Sequence, residues 1–169
     1  MKRMMSEIEA RALFCSAKVG RLGCLVEGKP YVVPINYLCD CEDGCFYGHS
    51  LPGRKIAALR ADRHVCLQVD QITDELRWRS VIAFGTFEEI EDNVKRQQIL
   101  KKLLAHFPLL TPVETASMQE AAPPRTIVFR LRIDHITGVA EECNDSAYTR
   151  AMKEHQNVAF AERMDKERR

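Results

Sequence analysis

The chain has 169 residues, with 25 basic against 24 acidic side chains and a formal net charge of +1. That length suits one domain with a real core, and the balanced charge gives no indication of nucleic acid or an anionic membrane as a partner. Hydrophobic residues make up 46% and charged ones 29%, as in ordinary globular proteins, and no apolar run approaches the ~18 residues of a membrane-spanning helix.

The opening MKRMMSEIEARAL is basic but has no apolar run behind it. No signal peptide is therefore expected, and a cytoplasmic location is. The seven cysteines are accordingly expected as free thiols rather than as a disulfide framework. Ser6 followed by Glu9 forms a capping box, which predicts a short helix over 6–17. RLGCLVE (21–27) has strand composition, Gly28-Lys29 marks a turn, and PYVVPINYL (30–38) is rich in β-branched and aromatic residues, so the pair reads as a hairpin. CEDG (41–44) signals a second turn and CFYGHS (45–50) the returning strand.

Pro52-Gly53 interrupts that strand, and RKIAALRAD (54–62) predicts one or two helical turns. HVCLQVDQI (64–72) and SVIAFGTFEEIE (80–91) read as two further strands. Asp92 caps a helix in which Val94, Ile99, Leu100, Leu103, Leu104 and Phe107 share a face, stopped at Pro108. Residues 109–125 read as a loop. TIVFRLRIDHITG (126–138) gives the cleanest alternation in the chain, with Ile127, Phe129, Leu131 and Ile133 facing one way and Val128, Arg130, Arg132 and Asp134 the other, which predicts a half-buried strand. The tail over 144–169 is a charged, weakly amphipathic helical segment. Closely spaced strands without a helix at each crossover exclude a doubly wound sheet and favour a small β-barrel decorated by helices.

There is no GxGxxG after a strand, no P-loop, no GxSxG elbow and no HExxH. Three segments carry candidate chemistry. In SLPGRK (50–55), Arg54 and Lys55 fall in the first turn of a helix, where cations oppose the helix dipole. A bound phosphate there would resolve the conflict, although two solvated basic residues give the same pattern. In VPINY (33–37), Pro34 removes a ladder donor, as at an edge or bulge that turns backbone groups toward a flat heterocycle; an ordinary edge strand is the alternative. In WRSVIAFG (78–85), Ser80 offers a hydroxyl to a phosphate or ribityl oxygen and Trp78 a ring cover, unless the tryptophan simply lies in the core.

Taken in order, VGRLGCL (19–25), KPYVVPINY (29–37), CFYGHSLPGRKIAAL (45–59), WRSVIAFGTFEEIED (78–92) and VFRLRIDHITG (128–138) resemble the pyridoxamine 5′-phosphate oxidase-related flavoproteins. The branch with the 5-nitroimidazole resistance reductases is the most similar. The resemblance covers about residues 6–139. It implies a mainly β fold, a six-stranded antiparallel Greek-key split β-barrel with flanking helices, occupying 1–140, with 141–169 as a helical tail and not a separate domain. It also implies a homodimer with FMN at the subunit interface. By position, Arg54 and Lys55 would hold the FMN phosphate and Pro34, Ile35, Asn36 and Tyr37 would follow the flavin edge. His49 and Ser50 would lie near the ribityl chain and ring, and Ser80 near the phosphate or ribityl end. His49 is the candidate catalytic group, as proton donor or hydrogen-bonding partner near reduced flavin.

The implied activity is FMN-dependent reduction of a small aromatic or heteroaromatic substrate, including nitro compounds, with a nicotinamide donor binding transiently. A non-enzymatic flavin, deazaflavin or haem binder for sensing or electron relay is the alternative. The Arg- and Trp-bearing C-terminal segment of true pyridoxamine phosphate oxidases has no match here, which argues against vitamin B6 oxidation. Cys39, Cys41 and Cys45 lack the CxxC spacing of zinc knuckles. No metal is expected, and Cys41 and Cys45 are expected across a hairpin from one another.

Overall fold

The computed structural model describes residues 1–40, 44–107, 126–142 and 149–150. The predicted loop over 109–125 and nearly all of the tail lie outside the described residues. In chain order the elements are β1 (Lys2–Met4), α1 (Glu7–Ser16), β2 (Val19–Val26), β3 (Lys29–Asn36), β4 (Leu38–Asp40) and β5 (Cys45–Ser50). They continue with α2 (Arg54–Ala61), β6 (His64–Asp74), β7 (Arg77–Glu89), α3 (Asn93–His106) and β8 (Ile127–Glu141). The strands form one antiparallel sheet in the order β3-β2-β6-β7-β8-β5-β4, with β1 pairing β8. The expected mainly β architecture with flanking helices is thus observed. Among the described residues there are eight strands where six were expected, because two three-residue strands, β1 and β4, are too short for periodicity to reveal.

Local chemistry explains the boundaries. The capping box is present: the Ser6 hydroxyl accepts from the Glu9 backbone N–H, and the Glu9 carboxylate accepts from the Ser6 backbone N–H at 2.7 Å. The β2–β3 turn falls on Glu27-Gly28, one residue earlier than expected. Both have positive φ (52° and 73°), the requirement of a type I′ two-residue hairpin. Asp92 caps α3 by accepting from the Lys95 N–H at 2.7 Å. Along β8, the alternation buries Phe129 and Leu131 in the main core, while Val128 packs in a second cluster with Ile99 and Leu103 of α3.

β2, β6 and β7 show which way the sheet faces. Leu22, Leu67, Val69, Val81 and Ala83 are fully buried on the inner side. The outer side carries Val19 (54% exposed), Val32 (62%), Ile72 (66%) and Phe84 (46%). Register places Val32, Gly23, Cys66, Phe84 and His135 in one row across five strands. β3 ends the sheet on one side, and β5 approaches it without ladder pairing, so the barrel is split along the free edge of β3.

Candidate functional site

The free edge of β3 is chemically defined by parity. Tyr37 donates its backbone N–H to Lys18 O at 3.3 Å, which turns the odd-numbered backbone groups toward β2 and the even-numbered ones toward the split. Pro30 and Pro34 are even. They delete two edge donors, where proline is tolerated in a sheet, and leave the N–H groups of Val32 and Asn36 with the carbonyls of Pro30, Val32, Pro34 and Asn36. The four-residue stretch Pro34–Tyr37 therefore divides. Pro34 and Asn36 present backbone groups to the split. Ile35 and Tyr37 are buried, with the Tyr37 hydroxyl donating to Phe14 O and its ring among Phe14 and Phe46. Burial raises the Tyr37 phenol above its ordinary value.

Across the split, β4 pairs β5 only as far as Tyr47, so the end of β5 at Gly48–Ser50 has no strand between it and the opening. His49 and Ser50 are half-buried there, and the Ser50 hydroxyl donates to Leu51 O at 2.9 Å. α2 follows directly. It starts on Gly53, which offers no side-chain cap, and has no acidic residue in its first turn. Arg54 is exposed and lies over the Tyr31 ring, 5.6 Å from its centroid, a contact that sequence reading missed. Lys55 is half-buried. Desolvation lowers its ammonium from the ordinary value, and the nearby Cys24 opposes that shift weakly. No carboxylate among the described residues lies within ion-pair distance of Lys55 or Arg54. Burial, then the neighbouring Cys66 thiol, push the Cys24 thiol upward.

Ser80 and Trp78 are placed differently. Both belong to β7, separated from β3 by β2 and β6, about 14 Å at ordinary strand spacing. They lie on the outer side of the sheet with Pro34 and Asn36. Ser80 Oγ accepts from Gln68 Nε2 at 3.1 Å; Gln68 also donates to Asp70 at 2.9 Å, and Asp70 pairs Arg21 at 2.7 Å. Trp78 is half-buried beneath Lys2, whose ammonium lies 5.7 Å from the ring centroid. A single chain therefore places the backbone edge of Pro34 and Asn36 on β3, His49 and Ser50 at the end of β5, which approaches β3, and Arg54 and Lys55 at the start of α2, over Tyr31 and near Cys24, and leaves Ser80 and Trp78 apart on the outer face. The Arg21–Asp70–Gln68 network was not foreseen; its members alternate outward along β2 and β6 only once register is known.

A groove of about 690 Å³ between α2, β7 and α3 contains none of these residues. Four of its charges pair with one another, Arg60 with Glu89 at 2.6 Å and Arg130 with Glu88 at 2.7 Å. No cluster of three metal-ligating side chains exists among the described residues. Cys41 lies outside them, so its expected pairing with Cys45 does too; Cys45 is free and buried. The free-thiol expectation fails for Cys39, which is disulfide-bonded to Cys15 at the end of α1. The partner is 24 residues away in sequence, brought close because α1 packs on β4. No helix among the described residues is long and apolar enough to cross a membrane.

Comparison with known proteins agrees with the fold. The family model described as pyridoxamine 5′-phosphate oxidase matches residues 6–140. The structure of an FAD-binding protein from Mesorhizobium loti superposes with a TM-score of 0.69 at 30% identity, over 84% of this chain and 99% of that one. A Bacteroides thetaiotaomicron protein described as one of 5-nitroimidazole antibiotic resistance gives a TM-score of 0.65 at 22% identity, over 84% and 92% of the two chains; at that identity the likeness concerns the fold. An uncharacterised Rhizobium meliloti protein is 32% identical over 88 residues, a stretch that spans 52% of this chain and 57% of the relative.

Proposed function

The chain belongs to the pyridoxamine 5′-phosphate oxidase family described by that model, and from this premise we propose that it binds a flavin in the split between β3 and the end of β5. The observation that carries the proposal is Lys55: a half-buried ammonium at a helix start, without a carboxylate partner among the described residues, near Cys24 of β2 and next to Arg54, which lies over Tyr31 of β3. A phosphate fits this set of donors. Lys55, Arg54 and the free N–H groups of the first turn of α2 would hold it. The Asn36 N–H and the Pro34 carbonyl suit the alternating donors and acceptors of an isoalloxazine edge. FMN is the assigned form, because Arg54 and Lys55 suit a terminal phosphate dianion.

The flavin, when bound, supplies two-electron chemistry. The chain's own contribution is binding and orientation at the β3 edge, exclusion of water by the end of β5, and a proton relay at the imidazole of His49. The proposed activity is reduction of a small aromatic or heteroaromatic substrate, nitro compounds included, with a nicotinamide donor. Ser80 and Trp78 enter through a second copy of the chain. Val19, Val32, Ile72 and Phe84 are exposed on the same face, which suits a homodimer whose outer faces meet. The fold match to a Mesorhizobium loti FAD-binding protein supports a flavin and keeps FAD as the comparison ligand.

Titration of the apo protein with FMN, FAD and riboflavin tests the site: FMN is expected to bind tightest, and no binding of any of the three refutes it. Anaerobic reduction by NADPH followed by reoxidation with a nitroimidazole tests the activity. Flavin that binds yet is never reduced or reoxidised at a useful rate would leave a flavin carrier.

A further inference from the structure

Cys15 and Cys39 join the end of α1 to β4, with Cα atoms 5.1 Å apart, inside the range that a disulfide spans without backbone movement. Their neighbours give the bond a position in the site. Phe14, next to Cys15, accepts the Tyr37 hydroxyl through its carbonyl; its ring stacks on Phe46 at 4.7 Å between centroids. Tyr37 lies two residues before Cys39 and directly after Asn36, and its own N–H is held by Lys18. This covalent tie therefore secures the segment that ends the β3 edge. Both cysteines are half-buried, so a small reagent reaches them. Among the other described cysteines, Cys24, Cys45 and Cys66 are free.

We propose that Cys15 and Cys39 form a reversible redox latch: as a disulfide it holds α1 against β4 and orders the β3 edge, and as two thiols it loosens that edge. The oxidant is a low-molecular-weight disulfide such as glutathione disulfide. One protein thiolate attacks it, forms a mixed disulfide and releases one thiol. The second protein thiolate then attacks the mixed disulfide at the protein sulfur, closing Cys15–Cys39 and releasing the second thiol. Two protein thiols are oxidised and one small disulfide is reduced to two thiols. A dithiol reverses the sequence. The link to ligand affinity rests on the flavin reading above; the latch itself does not.

The test uses the full chain equilibrated with glutathione disulfide or with dithiothreitol, together with a Cys15→Ala variant. Non-reducing peptide mapping is expected to show the 15–39 bridge only in the oxidised sample. Reduction is expected to lower the apo melting temperature by roughly 5–10 °C in wild type and to change nothing in Cys15→Ala. FMN is expected to bind about three- to tenfold more tightly to the oxidised form. Absence of the bridge after oxidation overturns the proposal, as does a melting shift that persists in Cys15→Ala. Equal FMN affinity of the two forms overturns the coupling to the site. If bridge and melting shift appear but neither form binds FMN, the flavin reading fails and the latch stands.

Discussion

Replacing Lys55 by methionine separates two roles that a structural lysine would combine. The side chain is half-buried, its ammonium is held below the ordinary value by desolvation, and no carboxylate among the described residues compensates it. Methionine keeps the stem and removes the charge, so the apo protein is expected to be as stable as wild type or more so. One charge-assisted hydrogen bond to phosphate is worth about 1.5–3 kcal/mol, so FMN should bind roughly 10- to 150-fold more weakly. Riboflavin, lacking the phosphate, should bind the two proteins alike. Flavin fluorescence quenching measures both affinities and chemical denaturation the stability. The pH dependence has a definite sign. With a folded-state value below the unfolded one, the unfolded chain binds more protons between the two. Apo wild type should therefore gain stability as pH rises through that window toward 10.5, and Lys55→Met should lack this gain. FMN and riboflavin weakened equally, or a variant that loses stability, would refute the assignment.

Three further changes probe the scaffold. Tyr37→Phe removes a buried hydroxyl that points at Phe14 O and away from the split; it should cost about 1–2 kcal/mol in denaturant unfolding, and an unchanged midpoint would contradict that bond. Gly85→Ala would place a methyl 2.0 Å from the Arg132 carbonyl oxygen, at the bulge where β7 and β8 shift register. A loss of about 3 kcal/mol or more is expected, and near-neutral melting would contradict the bulge. Glu9 is pushed down to about 2, first by its hydrogen bond to Arg3 and then by the Ser6 N–H. Its stabilising effect should be complete above the ordinary value of 4.5 and fade as pH falls toward 2; melting curves of Glu9→Gln should lack that part of the acid transition.

Sequence carried the elements whose signals are local. The capping box at Ser6 and Glu9, the strand CFYGHS, the start of α2 at Arg54 and the cap at Asp92 all sit where short-range chemistry puts them. Features that depend on register were not legible. β4 is three residues long and exists as a strand only because β5 lies beside it. Asn36 and Tyr37 are adjacent, yet one faces the split and the other the core, and only the pairing of β3 with β2 decides which. Ser80 read as a neighbour of the phosphate or ribityl end and Trp78 as a ring cover, because motif order does not show that two strands lie between them and β3. Cys39 drew attention to Cys41 and Cys45 by proximity in sequence, whereas its partner arrives on a helix 24 residues earlier.

The split in the barrel and the outer sheet face are linked by the same alternation. An open strand edge invites pairing with another chain, and β3 blunts its edge by placing Pro30 and Pro34 where their missing donors would have faced outward. That leaves too few donors for a continuing ladder but enough for a ligand with a short polar edge. The side chains of the same even-numbered residues, Val32, Pro34 and Asn36, lie on the outer face with Arg21, Gln68 and Ser80. A molecule held by the backbone at the edge is therefore adjacent to the surface proposed to receive a second chain. Phe84→Asp, in the exposed row that includes Val32 and Cys66, tests this directly. It should shift the mass measured by light scattering from dimer to monomer, because a buried carboxylate without a partner costs several kcal/mol. FMN affinity should fall with it if the partner's Ser80 and Trp78 help hold the ligand. A monomeric variant that binds FMN as tightly as wild type would show that one chain's split suffices.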